Sequence, residues 1–580
     1  MKTSKKQTDM SRRTFMAMAG GAASLAAMAA MGIPTECRAN IPDIDIDEMT
    51  REEKEVDVLV VGSGMAGVFA AVKAHDAGAK VLMVSKGRLG ASGQTPFARG
   101  IFSYDPNRAK VSLDQFVDSV SRSAMGTNNP VFTRQMAEHS KARVEELKSW
   151  GFFDSPFYHK AFSKPMAERK IPVMERVMLT HLIKEDGKIS GAAGFSLDEA
   201  KVYFFSAKSV VLCTGAGGFK PNGFPICDLT HDGTMMAYDI GAKVTGKEWN
   251  DGHPANLEHP AAVYDQWGPM LQGPPNITGV GVRHDLGVDL NYSIYVNGPH
   301  KTVSGQPPFA MKPLAGGPYR PDGFKQNGPP SGGRSEGRRK GGPGGGDHKP
   351  PGMGGIPSGG ASAGMSIHKS EGLVPVDASG ASNIPGLFAA GDALGSYMAG
   401  GIYTQVGSSL AGSAVQGGVA AEAAASFAKN RAMPKLSQKK RREVEAEILA
   451  PLKRERGYSP AWVTQTLQGI MIPNFVLYIK KERLLSAALA YIEELRDHHQ
   501  PMLTASDMHE LRLAHETSNM ILNAEMKLKA SLMRKESRCS HFRLDYPEPD
   551  PQNWDAWINI SKGGDGVMIL EKQRFDRWPD

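Results

Sequence analysis

The chain has 580 residues, a formal net charge of +7 and an apolar content of 41%, enough for about two to four ordinary globular domains. No basic stripe interleaves with aromatics, which argues against nucleic acid as a partner. The four cysteines, Cys37, Cys213, Cys227 and Cys539, lie far apart and form no C-x-x-C, which argues against a disulfide framework, an iron–sulfur cluster or a c-type haem carried by this chain.

Residues 1–39 read as an address rather than as fold. Lys2, Lys5 and Lys6 precede Ser11-Arg12-Arg13-Thr14-Phe15-Met16, and a soft Ala, Gly and Met run continues to Met31. Paired arginines before a short, weakly hydrophobic segment have the pattern of a twin-arginine export signal; the run is too short and too rich in Ala and Gly for a membrane span. Thr35-Glu36 before Cys37 form no lipid-attachment motif, and cleavage is expected after Ala29 or Ala39. The expected location is periplasmic or otherwise outside the cytoplasm.

The stretch around which the rest is organised runs from Val56 to Lys86. The apolar run Val58 to Val61 is what a strand buried on both faces requires. Gly62-Ser63-Gly64-Met65-Ala66-Gly67 follows at once. In such a G-x-G-x-x-G turn, Gly62 permits the tight turn, Gly64 lets the backbone approach a pyrophosphate, and Gly67 lets the next helix pack close. An Ala-rich helix over Val68–His75, a Gly78 stop and a second strand ending in Ser85-Lys86 complete a βαβ start, whose helix N-terminus favours an anion. A nicotinamide site usually ends that second strand in Asp or Glu for the ribose; Ser85-Lys86 weakens that reading.

Further on come Ser92-Gly93-Gln94-Thr95 and Gly100. Helices are expected within Val111–Trp150, and a hairpin over Val177–Ile183 and Ile189–Phe195. The run from Val202 leads to Cys213-Thr214-Gly215, in which Cys213 reads as a small buried hydrophobe. With Asp232-Gly233, Glu248-Trp249 and His253-Pro254, this series resembles the flavoprotein subunits of the fumarate reductase and succinate dehydrogenase family. So do Ile384-Pro385-Gly386-Leu387-Phe388-Ala389-Ala390-Gly391-Asp392 and the Ala/Gly-rich helix opening near Ser409-Leu410.

The resemblance implies an α/β fold: a Rossmann-type FAD-binding domain over 55–255 and 362–430, and a C-terminal helical domain over 434–545 followed by a tail, 546–580. Between them, 256–361 stands where relatives carry a capping domain. Here its Lys301–Gly360 part is dominated by Gly, Pro, Lys and Arg, a composition too poor in apolar residues to offset ordering, and it reads as a solvated flexible loop. The C-terminal run Glu536-Ser537-Arg538-Cys539-Ser540-His541-Phe542-Arg543-Leu544-Asp545-Tyr546-Pro547 resembles the family signature with Cys539 in place of Gly, and looks more like the adenylylsulfate reductase and succinate dehydrogenase branch than the single-chain haem-bearing fumarate reductases.

By this resemblance FAD is bound by Gly62, Gly64, Met65, Ala66, Gly67, Ser85, Lys86, Ser92, Gly93, Gln94, Thr95, Gly100, Thr214, Gly215, Asp232, Gly391, Asp392, Ser409 and Leu410. Gly93 stands where relatives with covalent flavin carry histidine, so FAD is expected to be held non-covalently. A helix N-terminus facing the reduced, negatively charged ring would favour it by ~0.3–1 kcal/mol, and up to ~2 when partly buried.

His253 and His368 are expected to orient a small-molecule substrate, and Tyr403 to donate the proton. Where dicarboxylate-reducing relatives carry a clamping arginine, this chain has Tyr403-Thr404-Gln405, and the family threonine after His-Pro is Ala255. Losing a charge-assisted fork argues against C4-dicarboxylates. Arg283, Arg320 and Arg334 remain as replacements for the family's proton-donating arginine, and spacing selects none of them.

His509 and His515 lie ~240° apart on a helix and share no metal. The expected activity is hydride exchange between flavin and an activated C=C bond, with electrons from or to a separate cytochrome or iron–sulfur protein, itself a route to peripheral membrane association. The alternatives are an electron-transfer flavoprotein subunit without substrate chemistry, and a sulfur-oxyanion enzyme like adenylylsulfate reductase.

Overall fold

The computed structural model describes residues 45–578 apart from 99, 110, 156, 221–228, 366–370, 396, 403–406 and most of 257–356. At 251–256, 300–301, 318–319, 357–365 and 474 it describes the backbone alone. The expected signal segment, nearly all of Lys301–Gly360, Arg283, Arg320, Arg334, His368 and Tyr403 therefore lie outside the described residues, as does the side chain of His253.

The first strand, β1 (Thr50–Val61), is longer than its apolar run: Val58–Val61 are buried, and the polar half before them extends the pairing. Helix α1 (Met65–Asp76) follows and leads to β2 (Val81–Val84), parallel to β1. After α2 (Leu113–Ser123) and α3 (Pro130–Ser149), the short β3 (Val173–Met174) adds to β2. The predicted hairpin forms as β4 (Val177–Glu185) and β5 (Lys188–Ser196), and β6 (Lys201–Leu212) returns beside β1.

Strand β6 does two things along its length. Val202–Ser206 pair antiparallel with β5, while Val210–Leu212 pair in parallel with a late strand, Leu387–Ala389. The parallel core thus runs β3-β2-β1-β6 and then that late strand. Chain order reverses between β1 and β6, and in open parallel sheets the crevice beyond the strand ends at such a reversal is where ligands bind.

Helix α4 (Asp232–Asp239) precedes β7 (Val244–Thr245), β8 (Asp251–Asn256), β9 (Pro357–Met365) and β10 (Gly372–Leu373). The late strand of the main sheet is β11 (Leu387–Ala389), and α5 (Ser408–Lys429) then crosses close to α1. Gly417 permits that approach, since a β-carbon there would fall 2.3 Å from the Ala66 carbonyl oxygen.

The helical region comprises α6 (Gln438–Leu449), α7 (Pro460–Met471), α8 (Glu482–Glu494) and α9 (Met508–Met533), with a second core including Val463, Leu467, Leu485, Ile492, Ile521 and Leu528. Just before α8 the expected helical domain is interrupted by a short strand. Ile479–Lys480 are extended and pair with Phe542–Arg543, and from there the buried Lys480 ammonium donates to the Glu248 carbonyl (2.7 Å) and lies 2.9 Å from His541 Nδ1. The stretch read as a tail also carries structure. Its alternation Ala556-Trp557-Ile558-Asn559-Ile560 forms β12 (Ala556–Lys562), which with β13 (Met568–Arg574) makes a hairpin joined to β7 and β10.

Candidate active site

At the ends of β1 and β6 the glycines behave as covalent geometry requires. Gly62 has φ +105°, and a β-carbon on it would lie 2.3 Å from the Cys213 carbonyl oxygen; one on Gly67 would lie 2.0 Å from the Gly62 oxygen. The strand ends and α1 can come together this closely only without side chains. Gly64 is the N-cap of α1 and supplies no side-chain cap, while Thr95 Oγ1 accepts from the Met65 N–H at 3.2 Å. Cys213 is buried beneath them, with its thiol pushed up by burial, in keeping with a packing role.

The glycine turn borders a cleft of about 970 Å³, counting the solvent at its mouth. Of the residues expected at a cofactor, Gly62, Gly64, Met65, Ala66, Ser85, Lys86, Ser92, Gly93, Gln94, Thr95, Thr214, Gly215, Asp232, Gly391 and Asp392 line it. Gly67 lies behind Gly62. Gly100, Ser409 and Leu410 lie elsewhere, around the start of α5, where Gly407 (φ +80°) accepts from the Phe102 N–H at 3.0 Å. There Ser408 Oγ is buried without a hydrogen-bond partner among the described residues. The segment leading into Tyr403 is anchored by Gly401, whose N–H donates to Thr127 Oγ1 (2.8 Å) and whose carbonyl accepts from Ser540 (3.1 Å).

The donor set of the cleft suits a dinucleotide. Gln94 Nε2 and Thr214 Oγ1 are buried side-chain atoms with no partner among the described residues, and such groups are expensive unless a ligand or water completes them. At Gly93 and Gly215 (each φ +70°) a β-carbon would meet nothing within 4 Å. Ser85 Oγ is bonded to Ser63 Oγ at 2.7 Å, which ties the end of β2 to the glycine turn.

Lys86 reaches the cleft in a form the sequence did not suggest. Its ammonium lies 2.6 Å from Asp232 Oδ2, 2.7 Å from Glu516 Oε1 and 2.7 Å from Thr230 Oγ1. The acid missing at the end of β2 is thus supplied in space by Asp232, from the first turn of α4. Burial alone would raise the Asp232 carboxyl, but Lys86 and hydrogen bonds from Asn519 and Thr230 outweigh it and hold it below the ordinary value. Thr230, Glu516 and Asn519 are site residues that pattern reading missed. The last two lie more than 400 residues further along the chain than Lys86, with no local motif around them.

A second buried cluster follows on the same side of α9. Asn523 Nδ2 donates to His231 Nε2 (2.8 Å), which leaves Nδ1 to donate to Glu371 Oε1 (3.1 Å). Lys247 and Lys527 reach the same carboxylate at 2.6 and 2.8 Å. Burial would raise Glu371, but Lys247 and Lys527 outweigh it and hold it well below the carboxylate range. Burial, with repulsion from the two lysines, lowers His231 to about 4, so it is neutral at pH 7. Beside it the C-terminal signature is a buried ionic chain. Arg534 bridges Glu248 (2.9 Å) and Glu536 (2.8 Å), and Arg538 pairs with Glu536 (2.8 Å).

A parallel sheet, a glycine turn against a helix N-terminus and an incompletely satisfied cleft at the reversal point define a dinucleotide-binding protein. Comparison with known proteins makes the class specific. Residues 57–163 match the FAD binding domain model, and residues 464–573 match the fumarate reductase flavoprotein C-terminal model. A relative from Methanothermobacter marburgensis, named as one of the subunits of a CoM/CoB fumarate reductase, is 26% identical over 89% of this chain and 98% of its own. Among solved structures, the adenylylsulfate reductase of Archaeoglobus fulgidus superposes with a TM-score of 0.68 at 19% identity, covering 92% of this chain and 97% of the other. The quinol fumarate reductase FrdA of E. coli gives 0.69 at 17% identity, covering 90% and 97%; both likenesses are of fold. By these matches the chain is an FAD-binding flavoprotein with a fumarate reductase-type C-terminal region, similar along most of its length to flavoproteins of the fumarate reductase and succinate dehydrogenase type.

Proposed function

We infer that this flavoprotein is an exported oxidoreductase reducing an activated C=C bond of a small organic substrate, or running the reverse reaction. FAD, when bound, supplies hydride transfer; the chain positions the substrate, excludes water and delivers a proton to the second carbon. The observation that carries the reading is the cleft between β1 and β6, where the buried Gln94 Nε2 and Thr214 Oγ1 have no partner among the described residues, together with similarity over 89% of the chain to a relative named as part of a fumarate reductase. His253, on β8, and His368 are proposed to orient the substrate, and Tyr403 to hold the proton. With no arginine at 403–405, the proposed substrate lacks a second carboxylate to clamp. That relative is named as one subunit of its enzyme, which supports electron exchange with a separate cytochrome or iron–sulfur protein, and the Arg12-Arg13 leader supports its placement outside the cytoplasm.

The test is stopped-flow mixing of photoreduced holoprotein with fumarate, crotonate-like acids, enones and aryl-acrylates. Reoxidation by a mono-acid or enone in preference to fumarate is expected. If none of them reoxidises the flavin while a cytochrome does, the chain is an electron-transfer subunit. Were reoxidation confined to adenylylsulfate, added to the same panel, it would be a sulfur-oxyanion enzyme.

A further inference from the structure

One face of α9 carries Glu516, Asn519, Asn523 and Lys527, at spacings of three, four and four residues, so their side chains stack along a single stripe. Each makes a polar contact with the FAD-binding part of the chain. Glu516 meets Lys86 at 2.7 Å, Asn519 Nδ2 donates to Asp232 Oδ1 at 2.8 Å, Asn523 donates to His231 at 2.8 Å, and Lys527 meets Glu371 at 2.8 Å. The first two contacts end on residues that line the cofactor cleft, and they come from its outer side: Glu516 and Asn519 do not line it themselves.

Asp232 is oriented by three donors. Oδ2 takes Lys86 at 2.6 Å, and Oδ1 takes Thr230 (3.0 Å) and Asn519 (2.8 Å). Two of these belong to the FAD-binding part itself; the third is on loan from a helix of the C-terminal domain. The side chains of Lys86, Asp232 and Glu516 are only 13%, 12% and 8% exposed, so water replaces a lost partner poorly. Removing Asn519 frees the Asp232 carboxylate to turn about its Cβ–Cγ bond, away from the position in which it faces the cleft.

We propose that Asn519 and Glu516 are positioning residues for the cofactor, so that docking of the C-terminal helical domain and retention of FAD are thermodynamically linked through Asp232 and Lys86. Such linkage is reciprocal: whatever the docked helix adds to FAD affinity, bound FAD adds to the docking of the helix. The inference is independent of the substrate and of the electron partner.

The experiment is a double-mutant cycle on the full chain, reading the FAD dissociation constant by quenching of flavin fluorescence. Asn519→Ala is expected to weaken FAD about 10-fold, the size of a lost hydrogen bond to a charged group. In an Asp232→Ala background the same change is expected to cost less than about 2-fold, because the group it acts through is gone. An unchanged dissociation constant, or the same factor in both backgrounds, overturns the proposal, since general loosening of the fold would be additive. A second measurement needs no variant. Hydrogen exchange of the unmutated chain should slow on FAD addition over α9 (Met508–Met533) more than over α7 (Pro460–Met471), whose residues make none of the four contacts named above. Equal slowing of the two helices, or none, refutes the linkage.

Discussion

The Glu371 cluster allows a prediction whose size can be worked out in advance. Glu371, Lys247 and Lys527 are each at most 2% exposed, and the single carboxylate holds two ammonium groups at 2.6 and 2.8 Å. Neutral His231 adds no charge at pH 7. Glu371→Gln keeps the shape and removes the only anion among these four side chains, leaving two buried cations with neutral acceptors, Asn523 Oδ1 for Lys247 and the Lys247 and Trp249 carbonyls for Lys527. A buried pair broken from one side costs about 3–5 kcal/mol, and an alternative caps that cost, because one lysine can shed its proton. From ~1.36 kcal/mol per unit and an ordinary lysine near ~10.4, shedding costs about 4.6 kcal/mol at pH 7 and about 1.9 at pH 9. The sign follows from proton counting. The buried amine of the variant has a folded pKa below its unfolded one, so the unfolded chain binds more protons between the two values and stability rises with pH. Urea unfolding of parent and variant at pH 7 and pH 9 should therefore show a gap of about 4 kcal/mol that shrinks by about 2–3 kcal/mol at the higher pH. The double variant Glu371→Gln with Lys247→Met, which restores the charge count, should recover part of the loss at pH 7. A gap below about 1 kcal/mol, or one equal at both pH values, would refute the reasoning.

Two further predictions follow from the glycines of the cleft. Gly62→Ala places a β-carbon 2.3 Å from the Cys213 carbonyl oxygen, backbone that cannot move aside, at φ +105°. It should cost at least about 1–3 kcal/mol and yield colourless protein with a lowered melting temperature, whereas Gly93→Ala, at φ +70° but meeting nothing within 4 Å, should cost only about 1 kcal/mol of backbone strain, melt within a few degrees of the parent and lose flavin affinity; equal melting of all three proteins would contradict this. Because Gly93 offers no imidazole for a covalent link, acid precipitation of yellow holoprotein should leave its flavin in the supernatant. A pellet that stays yellow after washing would show a covalent bond.

What the sequence made legible and what it did not divide along a physical line. The β1–α1–β2 unit was readable because its determinants are local: a fully apolar strand, glycines at fixed offsets and an Ala-rich helix all lie within about thirty residues. The β4–β5 hairpin was readable for the same reason. The Lys86 environment was not, because its acid comes from α4 and its second carboxylate from α9, and no propensity or spacing rule links positions so distant in the chain. A trace of it was nevertheless present. Along Glu516-Thr517-Ser518-Asn519-Met520-Ile521-Leu522-Asn523-Ala524-Glu525-Met526-Lys527, polar residues recur with helical period inside a segment otherwise suited to burial. A polar stripe on a helix is ordinarily the face given to water. Here the helix has apolar partners on one side, through Ile521, Ala524 and Leu528, and the FAD-binding part on the other, so the stripe had to find charges rather than solvent. The lone lysine where a dinucleotide fold usually carries an acid, and the buried asparagines of α9, are therefore two halves of one arrangement. Each looks anomalous alone, and together they specify how the helical domain must sit for Asp232 to face the cleft.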